Sequence, residues 1–182
     1  VPGQVRVHEP GRHAPGLVRG AARGREHRPD EATEIGRRDP SLVADRCPVF
    51  LEALGSGNNR QVWGAMQALD AVAEHRADAL AAELPRIIAA ADRGSVIAKD
   101  CCTSILVKLA RSGHAAKAVP ILVERLREAA DNQFPRYAED TASVLTPETR
   151  PGFFAVLRQR LDALGQPAKR RRLEKLLEKF NG

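Results

Sequence analysis

Aromatic residues are scarce in this chain: one Trp, one Tyr and five Phe, 4% of 182 residues. Sheet sandwiches and barrels draw their cores from aromatic and β-branched side chains. Their scarcity, beside plentiful alanine and leucine, argues against an all-β core and points to helices. No run of about 18 apolar residues occurs, which excludes a membrane-spanning helix. The N-terminus has no apolar core of a secretory signal, so the cytoplasm is the expected address. The three cysteines, Cys47, Cys101 and Cys102, have no metal-ligand spacing and suit a reducing compartment as small apolar fillers. Adjacent side chains diverge by about 100° on a helix, so Cys101 and Cys102 are not expected to form a disulfide. The sequence has no P-loop, no dinucleotide-binding glycine fingerprint and no nucleophile elbow. His8, His13, His27, His75 and His114 form no metal-binding pattern. No cofactor or metal is expected.

The net charge is +6, and it sits at the ends. Residues 1–40 hold eight bases and six acids, residues 41–164 fifteen of each, and residues 165–182 six bases and two acids. A balanced middle offers no broad field for polyanions.

What the chain does have is a period. Short apolar runs follow a proline at Pro48, Pro85, Pro120 and Pro151, spaced 37, 35 and 31 residues apart. A spacing of that size marks stacked helical repeats. Residues 1–40 carry glycine or proline every few positions with arginine between them, and are expected to be a flexible arm. From residue 41 on, the pattern predicts helix pairs in units at about 41–76, 77–112, 113–146 and 147–182. Each unit has a proline-bearing first helix and an amphipathic second helix.

In the first unit, Gly55 and its polar neighbours end the first helix, and Val62, Met66, Leu69 and Ala73 form the apolar stripe of the second. The second unit predicts a single first helix over 79–91 with Leu80, Leu84, Ile87 and Ile88 inward. A turn at Asp92–Gly94 then leads to Ser95 as side-chain N-cap of a helix carrying Ile97, Cys101, Ile105 and Leu109. The third predicts helices over 115–130 and 134–145, with Pro135 in an opening turn. The fourth predicts 147–164, with Phe153, Phe154, Leu157 and Leu161, and 168–180, with Leu173, Leu176, Leu177 and Phe180. Each repeated proline is expected to lie inside its first helix, kinking it so that successive helices nest.

These residues resemble HEAT-type repeats, closest at Leu84-Pro85-Arg86-Ile87-Ile88 and Val119-Pro120-Ile121-Leu122-Val123, over residues 41–182. The likeness is to bacterial HEAT-repeat proteins of unassigned function. It implies an all-α, right-handed α-solenoid of about four HEAT-like (armadillo-type) helix pairs, with first helices convex and second helices lining a concave binding face. It brings no catalytic residues with it.

If second helices line a groove, the residues off their stripes meet a partner: Trp63, Gln67, Lys99, Cys102, Arg136, Glu139 and Asp140. Trp63 is either an interaction anchor or core. Asp100 is expected to cap its helix or bond to the neighbouring unit; with Trp63, Arg136 and Tyr137 it defines one patch across three second helices. The expectation is a non-catalytic, monomeric scaffold that binds a protein. The alternative is nucleic-acid binding through the basic last helix, Lys169, Arg170, Arg171, Arg172 and Lys175, whose plainer reading is a solvated end cap. A HEAT-like fold also serves alkyl-base DNA glycosylases. Here Trp63 and Asp100 lie on different helices and the middle of the chain is neutral, so that comparison stays remote.

Overall fold

The computed structural model describes residues 39–181, so the arm expected at 1–40 lies almost wholly outside the described residues. The described chain is all-α, with no strand. No helix in it is long and apolar enough to cross a membrane.

Helix α1 (Pro40–Ala44) opens on Asp39, whose Oδ1 accepts from the Ser41 amide at 3.1 Å. Helix α2 (Cys47–Ala53) ends before Gly55, and α3 (Asn59–Val72) begins at Asn58, whose Oδ1 accepts from the Arg60 amide at 3.0 Å. Val62, Met66 and Leu69 are buried as the stripe required.

The second unit departs from expectation. In place of one first helix there are two, α4 (Ala77–Ala82) and α5 (Leu84–Arg93), broken at Glu83. The cause is Pro85, which has no N–H for the Ala81 carbonyl and whose ring crowds it. The chain restarts instead, with the proline in the first turn, where no donor is missed. Pro48 and Pro151 also stand in first turns, and only Pro120 lies inside a helix. The repeated proline thus starts helices more often than it kinks them.

Gly94 ends α5 where a Cβ would sit 2.7 Å from the Ala90 carbonyl oxygen and 2.8 Å from the Ala98 Cβ. Helix α6 (Val96–Leu109) follows. Ser95 is its N-cap residue, but the hydroxyl makes no capping bond, and Ile97 is 43% exposed rather than part of the stripe. The rest of α6 is buried on several sides, by Ala98, Cys101, Cys102, Ile105, Leu106 and Leu109. A turn at Ala110–His114, with Gly113 at φ 98°, leads to α7 (Ala115–Glu128). The chain continues as α8 (Phe134–Ala142), α9 (Arg150–Ala163) and α10 (Pro167–Asn181).

Packing follows chain order. Helix α2 lies on α3, α5 on α6, α7 on α8, and α9 on α10. Across these pairs, α3 packs on α6, α6 on α8, α8 on α10, and α7 on α9. The core runs through all of them, with Met66, Leu69, Ile105, Leu109, Phe134 and Phe153 at 0% exposure. Each such side chain is worth about 1.5–3 kcal/mol of transfer free energy. Helix α6 touches both neighbouring pairs, which is why its burial spreads round the helix and blurs the single stripe.

Candidate functional site

The helices α3, α6, α8 and α10 are joined on one side by polar rungs. Asp70 on α3 receives Lys108 of α6, whose Nζ reaches the carboxylate at 3.0 Å and the Asp70 carbonyl at 2.7 Å. Asp100 on α6 receives the Tyr137 hydroxyl at 2.5 Å and Gln133 Nε2 at 3.1 Å, both from the α8 side. Gln133 Nε2 also lies 2.8 Å from the Tyr137 oxygen. Glu139 on α8 takes two parallel bonds of 2.5 Å from Arg172 on α10, the fork geometry that arginine offers a carboxylate. Arg111 adds a bond of 3.0 Å to Ser143.

Arg136 stands between two carboxylates without bonding closely to either. Its Nη1 is 3.9 Å from Asp100 Oδ2 and its Nε 3.7 Å from Asp140 Oδ2, while 59% of its side chain is exposed. The charge is held in place and its donors stay available. Burial raises the Asp140 carboxyl above the usual range, against the lowering effect of Arg136. Burial, with the bond to Asp100, likewise raises the Tyr137 phenol.

The expected patch is therefore assembled only in part. Asp100, Arg136, Tyr137 and Asp140 do come together, and Asp100 does bond to the neighbouring pair. Tyr137, however, is 6% exposed and forms the floor of the patch rather than a contact surface. Cys102 is fully buried and leaves the set. Burial raises its thiol to about 11 and that of Cys101, next to Asp70, to about 12. Both are protonated fillers, and all three cysteines are free. Trp63 and Gln67, half-buried on α3, make no hydrogen bond to this network. The Trp63 indole N–H is shielded from solvent and has no acceptor.

Lys99 points elsewhere. With Arg125, Glu128, Gln133 and Tyr137 it lines a cleft of about 200 Å³ at the ends of α5, α6, α7 and α8. Arg125 closes one wall through a bond of 2.7 Å to Asp92. In the basic cluster, Arg172 is held by Glu139 and Arg170 by Glu174 at 3.1 Å within α10. Lys169, Arg171 and Lys175 have no ion pair among the described residues.

Sequence reasoning missed Asp70, Lys108 and Gln133. The signal was available: Asp70 and Lys108 are 38 residues apart, Asp100 and Gln133 33, and Glu139 and Arg172 33. Pairing acids with donors about one period later finds all three rungs. Among the described residues no cluster of His, Cys, Asp and Glu could hold a metal ion. Comparison with protein-family models, with curated proteins and with solved structures finds no match.

Proposed function

We propose that this protein is a non-catalytic, monomeric scaffold, a HEAT-like α-solenoid of about four helix pairs that binds another protein on the face formed by α3, α6, α8 and α10. The carrying observation is the set of rungs, Asp70–Lys108, Asp100–Tyr137 and Glu139–Arg172, each joining helices one period apart. Such stacking of neighbour on neighbour is how solenoids present extended binding surfaces. The side-by-side register supports it on the other helices too: His114 pairs with Asp78 and Arg125 with Asp92. The rungs occupy Asp70, Lys108, Asp100, Glu139 and Arg172, and Arg136 stands among them with 59% of its side chain exposed. Replacing Trp63 and Arg136 with alanine is expected to weaken the partner while helicity and melting temperature stay close to wild type. Loss of fold would assign these residues to structure instead.

The second reading is nucleic-acid binding through α10. What favours it is Arg171 and Lys175, one helical turn apart and exposed without ion pairs among the described residues. Against it, Arg172 is occupied by Glu139. The reading predicts binding that weakens steeply with salt and with Arg171→Ala; salt-insensitive binding would eliminate it.

A further inference from the structure

The packing of α9 on α7 shows what covers a first helix in this fold. Gly152 of α9 faces α7, where a Cβ built on it would lie 3.8 Å from Cγ1 of Val123. Val123 stands three residues after Pro120 and is 8% exposed. The equivalent residue of α9, three after Pro151, is Phe154. Residues turn by about 100° each on a helix, so Phe154, two beyond Gly152, lies on the side of α9 away from α7. The position that α9 covers on α7 is thus held on α9 by a half-buried phenyl ring.

That ring is fixed from below. Phe153, fully buried, meets Phe154 edge-on at 5.4 Å, and Phe154 meets Phe180 of α10 edge-on at 5.6 Å. Two exposed arginines lie over the pair, Arg150 at 6.0 Å from the centre of the Phe180 ring and Arg158 at 6.0 Å from that of Phe154. Neither has a carboxylate partner among the described residues. In this they differ from Arg76, Arg125, Arg160 and Arg172, each paired with an acid far along the chain. Arg150, Phe154 and Arg158 recur at every fourth residue and form one line down α9, and half-buried Leu177 neighbours Phe180 on α10. The surrounding charge is mostly of one sign, with nine bases and four acids over residues 147–182.

These features define an occupant. A small residue suits the ring, as Gly152 suits Val123; apolar neighbours would bury Phe154, Leu177 and Phe180; carboxylates on the flanks would pair with Arg150 and Arg158. One amphipathic helix supplies all three at spacings of three and four residues. Aromatic and arginine side chains dominate interface energies once water is excluded from them. Nucleic acid fits less well, because bases stack on open ring faces, and here guanidinium groups lie over the faces while ring edges meet one another.

We propose that this side of α9 and α10 docks an acidic amphipathic helix of another protein, with a small residue on Phe154 and carboxylates on Arg150 and Arg158. The residues are not those of the face proposed above, and the inference stands without that reading.

The test titrates the isotope-labelled full chain, followed by NMR, with two designed helices of about 20 residues. Both carry the same alanine-centred leucine stripe, flanked by glutamate in one and by lysine in the other; polyglutamate and oligothymidylate serve as polyanions without the stripe. The glutamate helix is expected to give saturable shifts at the Phe154, Arg158 and Leu177 amides. Phe154→Ala and Arg150→Gln/Arg158→Gln are each expected to weaken it about tenfold or more. The arginine variant should keep the wild-type melting temperature, so it decides the matter even where Phe154→Ala loses stability. No saturable shift, equal shifts from the lysine helix or from either polyanion, or an arginine variant that binds as wild type would overturn the proposal.

Discussion

The Nζ of Lys117 donates to the carbonyl oxygen of Ala81, the acceptor that Pro85, four residues on, leaves without a helical N–H. The same relationship occurs nearer the start of the described chain, where Arg76 Nε donates at 3.2 Å to the carbonyl of Ala44, four residues before Pro48. Pro48 and Pro85 each leave a carbonyl without a helical N–H, and a cation 32 or 36 residues beyond that carbonyl takes it. Pro48 and Pro85 therefore stand at joints between successive helices, whereas Pro120 lies inside α7.

Lys117→Met removes that donor, and is expected to cost about 1 kcal/mol, in the range for leaving a buried acceptor unsatisfied. In a Pro85→Ala background the Ala81 carbonyl can recover a backbone partner, so the same substitution is expected to cost close to nothing. A double-mutant cycle from urea unfolding measures the difference. Equal costs in both backgrounds would show that the proline and the lysine act independently.

The two glycines at turns should differ in kind. Gly113 has φ 98° with nothing within 4 Å of a built Cβ, so Gly113→Ala should cost about 1 kcal/mol of backbone strain. A Cβ at Gly94 would meet the Ala90 carbonyl oxygen of α5 at 2.7 Å and the Ala98 Cβ of α6 at 2.8 Å, so Gly94→Ala must shift the end of α5 and the start of α6 at a cost of about 2 kcal/mol or more. Thermal unfolding of both variants checks the order; a smaller effect at Gly94 would refute the close approach.

Alkaline pH should destabilise the protein. Burial raises the Cys101 and Cys102 thiols from 9.0 to about 12 and about 11, so the native state holds protons that the unfolded chain releases. Stability from these groups is fully present below pH about 9 and is lost as pH rises through about 11 to 12. Tyr137, also raised, acts in the same direction. Urea midpoints across this range test it, and Cys102→Ala should reduce the slope. In native protein near pH 8, neither thiol should react with a disulfide reagent.

The all-α class and many of the helices were legible in the sequence because they rest on composition and on helical apolar spacing. The stripes of α3 and α10, the turn at Gly94 and the all-α class follow from spacing and composition. Ile97 was misread because its spacing fits the stripe of α6 while its place in the first turn exposes it. Pro85 was misread because a kink and a restart share one sequence signature. The patch was half legible. Asp100 and Arg136 could be placed on second helices, but that Tyr137 points inward to Asp100, and that Lys99 turns to a cleft, is decided by the packing of α6 on α8.

The rung between Arg172 and Glu139 is half-exposed, so solvent screens it, and Glu139→Ala should cost less than about 1 kcal/mol. Its effect should appear in local opening: amide exchange is expected to quicken in α10 while α6 is unchanged. Uniform quickening would mean that the rung supports the whole fold.

The most direct measurement of the scaffold reading is a quantitative comparison of proteins captured from nuclease-treated source-cell lysate by wild type and by a Trp63→Ala/Arg136→Ala variant of matched helicity. The account predicts a partner that wild type retains and the variant loses. Identical captures by the two proteins, or a wild-type capture that disappears with nuclease, would contradict it.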